Sequence, residues 1–425
     1  MMAETENIAQ FFNAPFKGLS GASLVQRTKG DRVIWGIVVL LTLISLLVVY
    51  SSTGSLAYRH SKSNESYLIK QIFFIVLGVM LIYFFHRVNY TFYMRLAKIM
   101  FVISIPLLIY TYFFGATLNE GSRWIKLPII NMTFQTSDFA KLALFIFLSR
   151  QLSVKRNVIK DFKKGFLPVV LPVAIICLLI APANLSTAIL VGATSLMLMF
   201  IGRVSTKHIL LTIGMALLPV VLLIMMAVSF YDKAEHKNNM PAFLSIGRIP
   251  TWVSRIQVYM YGTKDEGSDK VYQINQAKIA IANGGFLGRG PGNSQARNFL
   301  PHSYSDFIYA IILEEYGLLG GAFMVFIYMI FLYRCIRLYR KCPGAFGAFL
   351  ALALSFMLVV QAIANMGVNV NLFPNTGVTL PLVSMGGSSF LFTCMSIGIV
   401  LSVARNVEQL EGKNNQVPEA APTSN

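Results

Sequence analysis

The chain has 425 residues, of which 55% are hydrophobic and only 13% charged. That balance excludes an ordinary soluble enzyme and fits a protein whose solvent is largely lipid. The formal net charge of +18 is spread over loops at both membrane faces, an arrangement in which nucleic acid is not expected as a partner.

Crossing the hydrocarbon core takes about 20 apolar residues. In chain order the candidate spans are Arg32 to Ser52, Tyr67 to His86, Tyr93 to Phe114, Asp138 to Leu152 and Phe166 to Ala181, then Leu185 to Ile201, Ile209 to Phe230, Phe307 to Tyr333, Ala345 to Val370 and Gly386 to Val403. They predict an all-α integral membrane protein of about ten transmembrane helices. Residues 1–31 form an N-terminal tail with no apolar signal core, residues 32–405 the membrane domain, and residues 406–425 a polar tail with the composition of disorder.

Basic residues collect in the loops at one end: Arg150 to Lys164, Arg203 with Lys207, and Arg334 to Lys341, joined by Arg27, Lys29 and Arg32. The positive-inside bias makes this end, with both termini, cytoplasmic. The four cysteines, Cys177, Cys335, Cys342 and Cys394, suggest neither a disulfide framework nor a metal site.

One large external loop, about residues 231–305, separates spans seven and eight. From Asp232 to Ser305 it carries nine Lys or Arg against five Asp or Glu, an excess that outward topology does not require. An anionic ligand at the outer leaflet would explain it, and solvated loop charge explains any single residue equally well. Tyr272 to Ala282 reads as a short helix, and Gly284, Gly285, Gly288, Gly290 and Gly292 then allow the backbone to wrap closely around a ligand or to re-enter the membrane surface.

The most informative segment is LPHSYSDFIYAIILEEYG, Leu300 to Gly317, in which Asp306 stands where the loop enters span eight. Ionisable groups at such a boundary cost free energy and mark working sites. Ser305 and Asp306 also suit a plain helix cap. Glu314 and Glu315 lie about 12 to 14 Å further along the helix, deep enough to be protonated or paired. His302 reads as a loop contact. Asp138 and Lys141, three apart on one helical face, can pair with each other. NEGSRWIKL (Asn119 to Leu127), QTSDFAK (Gln135 to Lys141), PANLSTA (Pro182 to Ala188) and NLFPNTGVTLPLVSMGGSS (Asn371 to Ser389) bring polar groups to the same outer face. Asn375, Thr376, Ser388 and Ser389 are expected to satisfy backbone or line a cavity there.

GSRWI, SDFAK, the Gly-rich run with FLPHSYSDFIYAIILEEYG, and FPNTGVTLPLVSMGGSS, in this order, resemble the SEDS family (shape, elongation, division and sporulation) of polytopic peptidoglycan glycosyltransferases. The resemblance covers about Arg32 to Arg405, and within the family the chain is more similar to the division branch than to the elongation branch. Three departures stand out: Asp138 where the family usually has Glu, Asn184 in place of an acid, and Met385 where Tyr is common.

The resemblance implies polymerisation of lipid II into glycan strands, with inversion at the anomeric carbon and release of undecaprenyl diphosphate. A carboxylate can take the proton of an attacking sugar hydroxyl, which nominates Asp306. The leaving diphosphate needs cationic groups placed beforehand, which nominates Arg123 and Lys141, with Arg248, Arg255 and Arg289 second in rank. Asp138, Gln295, Asn375, Thr376, Ser388 and Ser389 complete the expected substrate-binding set. A divalent cation, Mg or Mn, would suit the diphosphate, but the sequence offers no ligand cluster for one. Expected partners are lipid II, a class B penicillin-binding protein transpeptidase, other division proteins and membrane lipid, at the division septum of the bacterial inner membrane. A lipid II flippase or a division scaffold remains the alternative.

Overall fold

A computed structural model describes residues 30–53, 64–118, 121–127, 132–232, 237–238, 248–261, 269–300, 304–374 and 376–414. Among them are ten helices at the ten predicted spans: α1 (Arg32–Ser52), α2 (Asn64–Arg87), α3 (Tyr90–Phe114), α4 (Thr136–Val154), α5 (Leu167–Ile180), α6 (Leu185–Ile201), α7 (Thr206–Ser229), α10 (Ile308–Lys341), α11 (Ala345–Asn369) and α12 (Ser388–Asn414). Between α7 and α10 the excursion holds α8 (Ile249–Tyr261) and α9 (Asp269–Gly284). Eight of the ten are long and apolar enough to cross a membrane, α5 by adding a π-helical turn from Phe162. The other two are α6, with only 17 residues, and α4, which carries Asp138, Lys141 and Arg150.

Two features go beyond what the sequence predicts. The loop between α3 and α4 is an antiparallel three-stranded sheet, β1 (Ala116–Leu118), β2 (Gly121–Leu127) and β3 (Met132–Gln135), in which Trp124 pairs with Gln135 and Lys126 with Thr133. The last helix, α12, runs on to Asn414, into the tail expected to be disordered from 406, and Lys341 Nζ meets Glu411 Oε1 at 2.7 Å. Residues 415–425 lie outside the described residues.

The core is built around α11, whose 345–369 run is almost wholly buried between α10, α4, α6 and α12. By contrast α7 buries only Ile209 and Ala227 and leaves its apolar flank open, as a lipid-facing helix should. At one end of the bundle, Asp31 accepts from Val33 N and Ile34 N, capping α1, and its other oxygen takes Arg334 Nε at 2.7 Å. Gly30 N donates to Glu408 at this same end. The opposite end, where α4, α6, α10 and α12 begin, carries the sheet and the excursion.

Two irregular segments shape that opposite end. Residues 376–387 re-enter the bundle as far as the middle of α1, with Leu380, Leu382 and Val383 at most 2% exposed. Backbone at such depth must be satisfied by protein. Ser45 Oγ donates to Val383 O, Tyr328 Oη to Pro381 O, Gln361 Nε2 to Thr379 O and Asn365 Nδ2 to Val378 O, at 2.6 to 3.0 Å. The second segment is the Gly-rich run, which wraps the chain's own α10 where that helix breaks at Gly317 (φ 65°). Arg289 N donates to Glu314 O, Gly290 N to Glu315 O and Leu318 N to Gly285 O. A Cβ on Gly284, Gly288 or Gly317 would strike backbone of the facing segment.

Candidate active site

The three residues before Phe307, the N-cap of α10, are held by their carbonyl groups. Tyr304 O accepts from Met385 N at 3.0 Å, Ser305 O from Ser384 Oγ at 2.6 Å, and Asp306 O from both Asn365 Nδ2 and Asn369 Nδ2 at 2.9 and 3.0 Å. The re-entrant segment and the end of α11 therefore fix the chain direction at Asp306. Its half-buried carboxylate accepts from Ser305 Oγ at 2.8 Å. It does not cap the helix: the N-cap is Phe307, with no side-chain capping bond. Burial raises the Tyr304 phenol above its ordinary pKa, and the nearby Tyr67 and Asp306 charges raise it further.

A polar ladder on α11 leads from this turn to the second expected group. Gln361, Asn365 and Asn369 are four residues apart and share one face. Gln361 Oε1 accepts from Lys141 Nζ at 3.3 Å, and Lys141 Nζ stands 2.7 Å from Asp138 Oδ1. Asp138 Oδ2 is buried without a hydrogen-bond partner among the described residues. Lys141 also borders a cavity of about 20 Å³, with Thr187, Thr194 and Gln361 as its other polar walls. That is room for roughly one water. The arrangement sets a carboxylate at the head of a long helix and a buried Asp138–Lys141 pair further along, linked by the amides on one face of α11.

The remaining candidates divide into three groups. Ser388 and Ser389 belong to the polar layer: Gln135 N donates to Ser388 Oγ at 3.1 Å, and Ser389 Oγ lies 3.3 Å from Thr379 Oγ1. Thr376 is buried there with its hydroxyl unpartnered among the described residues. Arg123 lies on β2 beside Trp124, whose partner Gln135 opens α4, so its backbone is near the layer; its side chain, like Asn375 and His302, lies outside the described residues.

Arg248 and Arg255 sit at the start and middle of α8 and are half-buried. Arg248 donates to Ala183 O, which ties the excursion to the turn before α6. Next to it Asn184 caps α6, accepting from Thr187 N at 3.3 Å, so the residue that replaces an acid has a local structural use.

Arg289 and Gln295 surround a different group, the buried Glu314. Ser294 Oγ donates to Glu314, as do Gln295 N at 3.1 Å and Ala296 N at 3.2 Å, with Arg289 at 3.9 Å. Glu315 accepts from Ser51 Oγ, to which Arg297 also reaches. Glu314 is thus occupied by the fold, and Glu315 through one of its two oxygens.

Sequence reasoning missed Gln361, Asn365, Asn369 and Ser384, and read Ser305 only as a helix cap. The one signal for the three amides was their spacing of four inside an apolar run, which places polar groups on a single helix face. Among the described residues no group of three or more His, Cys, Asp or Glu is arranged to hold a metal ion.

Comparison with known proteins agrees with the motifs. A family model described as cell cycle protein, covering FtsW, RodA and SpoVE, matches residues 31–409. The probable peptidoglycan glycosyltransferase FtsW of Hydrogenovibrio crunogenus is 30% identical over 90% of this chain and 94% of its own length. Stage V sporulation protein E of Bacillus subtilis is 30% identical over 89% and 98% respectively. A chain of a solved peptidoglycan synthase complex has a TM-score of 0.67 at 23% identity, covering 89% of this chain and 98% of that one. The Thermus thermophilus rod shape determining protein RodA has a TM-score of 0.60 at 21% identity, covering 89% and 97%. With nearly the whole membrane domain matched, the chain belongs to the FtsW, RodA and SpoVE family of cell cycle proteins, the family its motifs resemble.

Proposed function

We propose that the protein is a peptidoglycan glycosyltransferase that polymerises lipid II at the outer face of the bacterial inner membrane during septal wall synthesis. The observation that carries this reading is Asp306: three successive carbonyls are pinned while its carboxylate is left out of the helix cap. A group held so firmly yet spared from structural duty suits a general base.

In the reaction the carboxylate accepts the proton of the acceptor sugar hydroxyl as that oxygen bonds to the anomeric carbon of the donor. The bond from this carbon to the diphosphate oxygen breaks, and its electrons leave with undecaprenyl diphosphate. A single displacement inverts the anomeric centre. Lys141, and Arg123 from the neighbouring strand, offset the charge that develops on the leaving group. Asp138 and Gln361 hold Lys141 in place. Arg248 and Arg255 reach the same end of the bundle from the excursion and suit a second line of contact with the lipid diphosphate. Arg289 is committed to Glu314, which leaves it the weakest of the expected cations. No step is assigned to a divalent cation.

In this reading both termini are cytoplasmic, and the strands made are crosslinked by a class B penicillin-binding protein. The relatives named for glycosyl transfer and the solved synthase complex support it. The decisive test is reconstitution with fluorescent lipid II, with and without the cognate transpeptidase, read as glycan ladders. Asp306→Asn should bind lipid II and make no polymer. A carrier that only moves lipid II needs no base at this position, so polymer made by Asp306→Asn at the wild-type rate would overturn the assignment.

A further inference from the structure

An aspartate just before a long helix ordinarily turns its side chain onto the open amides of the first turn. The first turn of α10 is capped instead from another helix. Asn369 Oδ1, at the end of α11, accepts from Ala310 N at 3.0 Å. Ala310 is the third residue of α10, and its amide is shared between this oxygen and Phe307 O at 3.1 Å.

The same amide group works in both directions. Asn369 Nδ2 donates to Asp306 O at 3.0 Å and to Asn365 O at 2.8 Å. Both of those partners are carbonyl oxygens and the third is an N–H, so hydrogen-bond chemistry alone fixes which end of the amide is oxygen. Asn365 adds a second donor to Asp306 O, but it reaches no amide of α10.

We propose that Asn369 is a positioning residue for the polymerase reaction: by bridging Asp306 O and Ala310 N from α11, it locks the turn before α10 and with it the placement of the Asp306 carboxylate toward the substrate. The proposal rests on Asp306 as the base. Without Asn369, among the described residues Asp306 O keeps only Asn365 and Ala310 N only its bond to Phe307 O, so the turn is freer to shift, and a base displaced with it loses its contact with the sugar hydroxyl. The effect belongs to turnover, because Asn369, 1% exposed, does not itself reach substrate.

The test compares Asn369→Ala, Asn369→Ser and Asn365→Ala in the full chain reconstituted with its transpeptidase and fluorescent lipid II. Folded fraction is read by thermal unfolding, and lipid II affinity separately from turnover. Asn369→Ala should keep lipid II affinity and KM within about twofold while kcat falls on the order of 10²-fold, the scale of a displacement near 1 Å. Asn365→Ala, which retains the cap, should lose clearly less. If Asn369→Ala does not accumulate folded, Asn369→Ser, with a shorter polar group, carries the same comparison. The proposal is overturned if folded Asn369 variants turn over like wild type, if their loss follows folded fraction alone, or if the loss appears in lipid II affinity. Asp306→Asn in parallel separates the two ideas: an active Asp306→Asn removes the base, whereas an inactive Asp306→Asn beside a fully active Asn369→Ala removes only the positioning role.

Discussion

Lys141 and Asp138 form a contact of 2.7 Å, one turn into α4, with side chains only 10% and 4% exposed. An ion pair that far from water is weak evidence for stability, since desolvating two charges offsets much of their attraction. Breaking it is another matter. Lys141→Met keeps the volume but strands a buried carboxylate, and should cost about 3 to 5 kcal/mol together with polymerisation. The doubly neutral Asp138→Asn with Lys141→Met should recover thermal stability and remain inactive. Unfolding in detergent, read beside glycan ladders, checks both halves. Recovery of activity in the double variant would show the pair to be scaffolding.

Glycine at 317 has φ 65°, and a Cβ there would meet the carbonyl of Phe286. At Gly288 the same holds against Glu315 O, with φ 83°. Alanine at either site combines left-handed backbone strain with a backbone overlap that no rotamer relieves, so little folded protein should accumulate. Gly292 also has positive φ, 77°, but open space around it. Its alanine variant should lose only about 1 to 2 kcal/mol, the strain of the conformation. Fluorescence size-exclusion profiles of the three variants test the ordering. A normal profile for Gly288→Ala would mean that the Gly-rich run does not clasp α10 as described.

Glu314 is fully buried and takes its hydrogen bonds from Ser294 and the amides of Gln295 and Ala296. Glu314→Ala leaves these donors unsatisfied and should destabilise by about 1 to 3 kcal/mol for each group left bare. Arg289 is 35% exposed at 3.9 Å from that carboxylate. Its removal should cost no more than about 1 kcal/mol and leave KM for lipid II unchanged. A clear rise in KM for Arg289→Ala would return this residue to the substrate-binding set.

Long apolar runs made the spans legible, with identical bounds for Arg32–Ser52 and Leu185–Ile201. Asp306, Lys141 and Asp138 were legible because charge beside apolar sequence is costly and therefore conspicuous. The sheet was not, because GSRWIKL lacks a clean alternation of apolar and polar residues. The glycines allowed a close approach, expected toward a ligand or the membrane surface. In the fold the neighbour is α10. Gln361, Asn365 and Asn369 passed as incidental amides, since their meaning lies in the carbonyl groups they meet on segments far away in sequence.

Orientation is open to a direct chemical test. The turn between α4 and α5, with exposed Arg156, lies at the Asp31–Arg334 end, whereas Leu287, 74% exposed, lies on the excursion at the other. If the termini are cytoplasmic, Leu287→Cys should react with a membrane-impermeant maleimide in intact spheroplasts, and Arg156→Cys only after permeabilisation. The native thiols interfere little. Cys335 and Cys394 are buried, and Cys177 can be replaced by Ala. Burial raises the Cys342 thiol above its ordinary pKa, so its thiolate fraction, and hence its labelling, is small at neutral pH and grows as pH rises. Labelling near pH 7 therefore reports the introduced cysteine. Reaction of Arg156→Cys in sealed spheroplasts would invert the topology and put Asp306 on the cytoplasmic side, where a polymerase of external glycan strands has no use for a base.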